Sequence, residues 1–287
     1  MASKSSYCGP VNMPGDHYIE LVGKTVAVLE ALRDEPKGTG VQQLAERTGQ
    51  GKSTTHRILQ SLKRHGYVDQ DGTGGTYRLG LRVLTLVRGV DGNAGLQQFA
   101  RPFLQELTKT FDESSYLAVL RGGRGVFVDV RETHRDLRLV GPLGADVYFH
   151  ATAAGKAIAA FLPVAWQEQF LRTLPLARLT DRTTTAPDRV REEWAAVLRR
   201  GFAFNDGETI VGAAFVAAPV LDAHDQVCGS ISVGVPQPRY SAELGNQLVL
   251  HLAAGCEKLS TTLKAAGYVH QHAFPPGSTQ GAGRQKA

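Results

Sequence analysis

The stretch TGQGKSTTHRILQSLKRHGY, residues 48–67, decides how this chain is read. Gly51-Lys52-Ser53 has the ending of a phosphate-binding loop, while the residues after it form a basic amphipathic run. A nucleotide-binding loop needs G-x-x-x-x-G-K-[ST], and it must leave a buried strand that aims it at the phosphates. With Gly51-Lys52-Ser53 as that ending, the first glycine belongs at position 46, which is Glu46. The preceding residues have helical spacing instead, with Val41, Leu44 and Ala45 on one side. Both requirements fail, and the ATP-binding reading is set aside.

A helix-turn-helix accounts for more of the residues. Leu44 and Ala45 pack against Ile58, Leu59 and Leu62 of the following helix, with the glycine-containing turn between them. Ser53 or Thr54 is placed to cap that second helix, and Gly66 fits the left-handed position that ends it. Before this pair, Val22, Val26, Leu29 and Leu32 mark a first helix that stops ahead of Pro36. After it, short strands at 67–68 and 76–79 flank a turn at 71–75. The order is that of a winged helix-turn-helix over residues 18–90.

In this motif the start of the last helix enters the major groove. Lys52, Ser53, Thr54, Thr55 and Arg57 are therefore expected at base edges, with Lys63 and Arg64 at phosphates and Tyr77 and Arg78 of the wing at the backbone or minor groove. Between Lys52 and Arg64 there is no acidic residue. The plain alternative is a solvated basic helix face; the agreement of helix, turn and wing argues against it. His56 and His65 receive no role, and no histidine or cysteine spacing indicates a metal site.

The whole chain fits this reading. It has 287 residues, 42% of them hydrophobic and 21% charged, with a net charge of +5 and a pI near 9.1. That length indicates more than one domain, and the mild basic bias permits nucleic-acid binding. The three cysteines are scattered and odd in number, which fits a reducing compartment rather than a disulfide framework. The N-terminal residues lack a signal-peptide core, and no apolar run nears the roughly 18 residues of a membrane span. A cytoplasmic protein without membrane contact is expected. Residues 1–17 read as a flexible arm, 91–111 as a linker helix, 112–267 as a second domain and 268–287 as a disordered tail.

The second domain reads as α+β with a mostly antiparallel sheet. Strands are expected at 116–120, 126–130, 137–140, 202–204, 213–220 and 227–235. A small-residue helix spans 152–161, with Lys156 taken as a surface lysine. Asp188 is placed to cap a helix whose apolar positions are Val190, Trp194, Val197 and Leu198. A long helix at 241–265 turns Leu244, Leu248, Leu252, Leu259 and Leu263 inward. No nucleophile elbow or other catalytic set stands out, so no enzyme activity and no cofactor are expected.

At this point the residues resemble the IclR family of transcriptional regulators. The resemblance is carried by LAERTG (44–49), KSTTHRIL (52–59), GYV (66–68) and YRLG (77–80), then by HATAAGKA (150–157), LP (162–163), LTDRT (179–183), GFA (201–203), AAPV (217–220) and GSISV (229–233). It implies a winged helix joined by a linker helix to a GAF- or PAS-like effector domain. It also implies a homodimer or homotetramer on a double-stranded, near-palindromic operator, acting as repressor or activator in response to a small organic acid or aromatic. Carried over by position, the effector pocket is lined by Ala153, Ala154, Asn205, Ala213, Phe215, Ser230, Ser232 and Gly234, with Leu139 and Val147 as apolar wall. Small residues would leave space there, and Ser and Asn would orient the ligand. The chain departs from relatives that have an acid in place of Asn205 and a Ser-Gly end where this one has Gly234-Val235; Phe215 adds bulk. Two alternatives stay open: a regulator whose site is filled by its own side chains, and an enzyme acting through the second domain.

Overall fold

The computed structural model describes residues 19–72, 75–87, 94–141 and 143–270. The expected arm at 1–17 lies outside them, as do the tip of the wing, most of the stretch leading into the expected linker helix, and residues 271–287. The chain divides between residues 93 and 94 into two compact units.

The N-terminal unit comprises α1 (Glu20–Arg33), α2 (Val41–Thr48), α3 (Lys52–Arg64), β1 (Val68–Gln70), β2 (Tyr77–Leu79) and α4 (Val83–Val87). Its core is Val28, Leu32, Leu44, Ile58, Leu59, Leu62, Val68 and Tyr77. Of the four residues expected to mark α1, Leu32 is buried and Leu29 packs against the core, but Val22 and Val26 are 56% and 46% exposed, and Val28 is buried in their place. Helical spacing alone leaves that choice open, and the elements packed on the helix make it. The cap of α3 is also corrected. Gly51 occupies the N-cap position and accepts the Thr55 N–H at 3.0 Å, so Ser53 and Thr54 lie inside the first turn. Gly66 ends the helix as expected, at φ +75°. Its N–H donates to Lys63 O and the Tyr67 N–H to Leu62 O, the pair of bonds that satisfies the last carbonyls of a helix and turns the chain into β1.

The C-terminal unit begins with α5 (Ala94–Phe111), followed by β3 (Ser114–Arg121), β4 (Arg124–Arg131), β5 (Asp146–Val147), α6 (Ala153–Ala159), α7 (Val164–Thr173), α8 (Pro187–Arg200), β6 (Ala203–Asp206), β7 (Ala213–Leu221), β8 (Val227–Pro236) and α9 (Ala242–Ala265). The strands form one antiparallel sheet in the order β5-β4-β3-β8-β7-β6. On one face, Leu96, Leu104 and Leu107 of α5 and Leu248, Leu252 and Leu263 of α9 pack on Leu117, Val216, Ile231 and Val233. The helix expected as a linker is therefore part of this unit's core. On the other face lie α6, α7 and α8, with Ala157, Ile158, Phe170 and Trp194. None of the described helices is long and apolar enough to cross a membrane.

Several expectations for this unit change. Residues 137–140 form no strand; Leu137 O and Leu139 O accept side-chain bonds from Arg239 and Tyr116. A helix at 164–173 was not foreseen. Ala186, not Asp188, is the N-cap of α8; Asp188 sits in the first turn, bonded to Arg191, and Leu198 is 51% exposed. Residues 268–270, assigned to a disordered tail, are ordered: the His270 N–H donates to Asp222 Oδ2, its ring meets Leu120 O, and Tyr268 O accepts the Ala223 N–H.

Lys156 is the largest correction. It is 3% exposed, and its ammonium donates to Phe204 O at 3.0 Å and to Glu208 Oε1 at 2.5 Å. Burial raises the Glu208 carboxyl above its ordinary range, while the Lys156 charge pulls it back down. Removing one member of a buried pair leaves an uncompensated charge. Lys156→Met is expected to lower unfolding stability by about 3 kcal/mol at neutral pH. Without the cation, the folded-state pKa of Glu208 rises further. A raised carboxylate stabilises the fold below its unfolded pKa, and that contribution is lost as pH rises through the folded value. The deficit against wild type should therefore shrink as pH falls, and Lys156→Met with Glu208→Gln should recover most of it. Urea unfolding at several pH values reads this; a pH-independent deficit would exclude the charge coupling.

Candidate nucleic-acid interface and effector site

The two faces of α3 divide cleanly. Thr55, Ile58, Leu59 and Leu62 are buried, while Lys52, Ser53, His56, Arg57, Gln60, Lys63 and Arg64 are exposed and Thr54 is half-buried. No side chain caps the first turn, so its N–H groups are left to solvent or an anion. Two residues expected at DNA are instead structural. Thr55 is fully buried, and its hydroxyl donates to Gly51 O at 3.2 Å, tying the turn to the helix. Tyr77 is 3% exposed within the core, because the alternation of β2 turns it inward and Arg78 outward. Arg78 pairs with Asp71 across the wing at 2.9 Å, and Lys63 Nζ donates to Gln70 Oε1 at 2.8 Å.

His56 and Gln60 share the exposed face of α3, although sequence reasoning gave neither a role. Their signal was spacing: Ser53, His56 or Arg57, Gln60, and Lys63 or Arg64 recur every three or four residues, opposite the buried stripe. The amide nitrogen of Gln60 lies 3.1 Å from Tyr77 Oη and 3.4 Å from His56 Nε2.

The residues carried over to the effector site spread across the sheet. Ala153 and Ala154 lie in the first turn of α6, buried, with Thr152 as its N-cap. Ser230 donates to Ala154 O at 3.0 Å and so holds β8 to that turn. Ser232 is buried, opposite Tyr116 on β3 and Ala217 on β7. Phe215 and Gly234 are register partners, and Leu139 reaches the same point. A Cβ on Gly234 would lie 2.6 Å from the Phe215 ring and 3.1 Å from Leu139 Cδ1, so the bare backbone makes room for both. Ala213 pairs with Pro236 at the end of the sheet.

Val147 stands apart from that cluster on the edge strand β5, whereas Asn205, on the opposite edge strand β6, is the register partner of Phe215. Val147 fills the space that Gly125 leaves on β4. Asn205 is fully buried and its polar atoms are committed within the protein: Nδ2 donates to Ala151 O at 2.7 Å and to Thr209 Oγ1 at 2.9 Å, and Oδ1 accepts the Glu208 N–H at 3.0 Å. Tyr116 was not foreseen in this region. Its ring lies against Phe127 and Phe215, and its hydroxyl donates to Leu139 O at 2.7 Å, fastening the 137–141 segment over the sheet. Burial pushes its phenol well above the ordinary range.

Comparison with known proteins agrees with this architecture. Residues 21–72 match the IclR helix-turn-helix domain, and residues 90–261 match the family described as bacterial transcriptional regulator IclR C-terminal. The chain is 34% identical to the glycerol operon regulatory protein of Streptomyces griseus over 77% of this chain and 86% of that protein. It is 26% identical to the transcriptional repressor IclR of Escherichia coli, over 79% and 83% of the two chains. In structure it is similar to an IclR homologue from Microbacterium hydrocarbonoxydans crystallised with 4-hydroxybenzoate, with a TM-score of 0.67 at 23% identity, covering 84% of this chain and 99% of that one. Both units thus match their counterparts in order, and the chain belongs to the IclR family of transcriptional regulators.

Proposed function

We propose that this protein is a cytoplasmic, ligand-responsive regulator that binds a near-palindromic operator through α3 and senses a small organic acid or aromatic in its C-terminal unit. The observation that carries the DNA-binding half is the exposed face of α3, which has Lys52, Arg57, Lys63 and Arg64 and no acid. Arg57, Ser53 and Thr54 are the candidates for base contact; Lys52, Lys63, Arg64 and Arg78 are the candidates for phosphates. A homodimer or homotetramer would match operator symmetry. In support of self-association, α1 exposes Leu21 and Val22 and the α4 region exposes Leu81, Leu84 and Leu86.

The effector half rests on the cluster of Tyr116, Phe215, Leu139 and Gly234. Aromatic and small apolar groups there suit a flat ring, and the relative crystallised with 4-hydroxybenzoate supports an aromatic acid. Asn205 and Ser230 bond within the protein, so a ligand gains from them only by exchanging partners. A second reading, regulation without a small molecule, is favoured by the Phe215 ring lying on Gly234.

Two measurements test these readings. Fluorescence anisotropy on DNA from the gene's own upstream region, beside scrambled DNA in a salt series, should show tight binding to the native sequence only. Arg57→Ala is expected to weaken that binding by about 1–3 kcal/mol, whereas Arg64→Ala should lower the salt slope by about 1. Unchanged affinity in Arg57→Ala would remove its role at a base. A thermal-shift screen of benzoates and small organic acids separates the effector readings. A true effector at 100-fold its dissociation constant should add about 2.7 kcal/mol of stability. Phe215→Ala should then alter which ligands act; no shift with any ligand, in wild type or variant, favours the ligand-free regulator.

A further inference from the structure

We infer that the segment after α9, Tyr268–His270, is a strap that holds the first turn of α5, so that this segment controls helical order at the joint where the N-terminal unit is attached. The joint lies between residues 93 and 94, and α5 begins at Ala94. The strap lies past residue 261, where the match to the family ends. Its direction is set at Gly267, which takes φ +63° just after α9. The Gly267 N–H donates to Lys264 O at 3.0 Å and the Tyr268 N–H to Leu263 O at 2.9 Å, the pair of bonds that closes a helix and turns the chain away from its axis.

The strap is anchored at two places. The His270 N–H donates to Asp222 Oδ2 at 3.0 Å and the Ala223 N–H to Tyr268 O at 2.9 Å, which ties it to the turn between β7 and β8. The buried His270 ring bonds Leu120 O near the end of β3. A carbonyl can only accept, so ring Nε2 carries a proton there. Tyr268 reaches from these anchors to α5: a Cβ on Gly95 would lie 3.0 Å from its ring. This turn of α5 is weak by itself. Glycine is among the poorest helix formers, and the first turn has no acid to meet the helix dipole. Leu96 is held by the core and Gln97 by its bond to Val128 O at 2.6 Å, but Gly95 has no side chain by which it could be held. That same lack lets the Tyr268 ring lie on its backbone. Order at the start of α5 is thus supplied in part from the far end of α9.

Amide hydrogen exchange in the full chain tests this at Gln98 and Phe99, whose helical acceptors are the carbonyls of Ala94 and Gly95. Tyr268→Ala and His270→Ala are each expected to speed exchange there by about tenfold, with Ile231 in the middle of the sheet unchanged. The His270 ring is anchored at Leu120, so an effect of its loss on α5 has to travel through the strap. The double variant should be no faster than Tyr268→Ala, because the two residues act as one unit. Tyr268→Phe, which keeps the ring on Gly95, should keep most of the protection. Unchanged exchange at Gln98 and Phe99 in both alanine variants overturns the inference. An equal acceleration at Ile231 would show general destabilisation and overturns it as well. Neither DNA nor an effector enters the measurement, so its outcome is separate from that of the proposed function.

Discussion

Strand β8 is buried at every position from Val227 to Pro236, and the C-terminal unit is arranged around that constraint. A strand covered on both sides needs a layer on each face. Its own alternation sorts the layers. Ile231, Val233 and Val235 meet the leucines of α5 and α9, where large side chains interdigitate. Ser230, Ser232 and Gly234 face the other way, where small residues let α6 approach until Ser230 bonds the Ala154 carbonyl. The same smallness leaves room for Phe215 and Leu139 over Gly234. A core-packing requirement on one face and a candidate binding surface on the other thus follow from a single strand.

The N-terminal unit solves a different problem with α3, which is part of the core on one face and the proposed DNA-facing surface on the other. Every third or fourth residue, Thr55, Ile58, Leu59 and Leu62, is buried, and the positions between carry the charge. Its ends are fixed by backbone rather than by side chains, with Gly51 before it and the Gly66 turn after it. That leaves the side chains of the first turn uncommitted to capping, which is why Ser53 and Thr54 remain candidates for DNA.

Much of this was legible because period and punctuation agree. The glycines at 49, 51, 66 and 201 and the leucine spacing of α9 placed their elements to within a residue or two. What misled was local pattern without a partner. Along α1, Val22, Val26, Leu29 and Leu32 have helical spacing, yet the core takes Leu32 and Leu29 with Val28 and leaves Val22 and Val26 out, a choice that belongs to the elements packed on the helix. Residues 137–140 have strand-like composition, yet their carbonyls are taken by Tyr116 and Arg239 side chains from distant parts of the chain. Lys156 looked like a surface lysine because its counter-ion, Glu208, is 52 residues away. Tyr77 was read as a contact from its neighbour Arg78, although a strand sends adjacent residues to opposite faces.

The candidate effector site was the least legible, and the reason is chemical. Position alone indicated Asn205 and Ser230 as ligand partners, but position does not say whether a polar atom is free. Both are fully buried, and a buried amide or hydroxyl without a bond is costly. The fold meets that cost internally, Asn205 through Ala151, Thr209 and the Glu208 N–H, and Ser230 through Ala154. Exchange of one such bond for a ligand bond changes free energy little, so neither residue can supply much net affinity. The gain open to a ligand lies in apolar burial against Tyr116, Phe215 and Leu139, where no bond has to be broken first. By that argument a ligand at the proposed site would be selected by the shape and packing of the Phe215 cluster rather than by its polar residues.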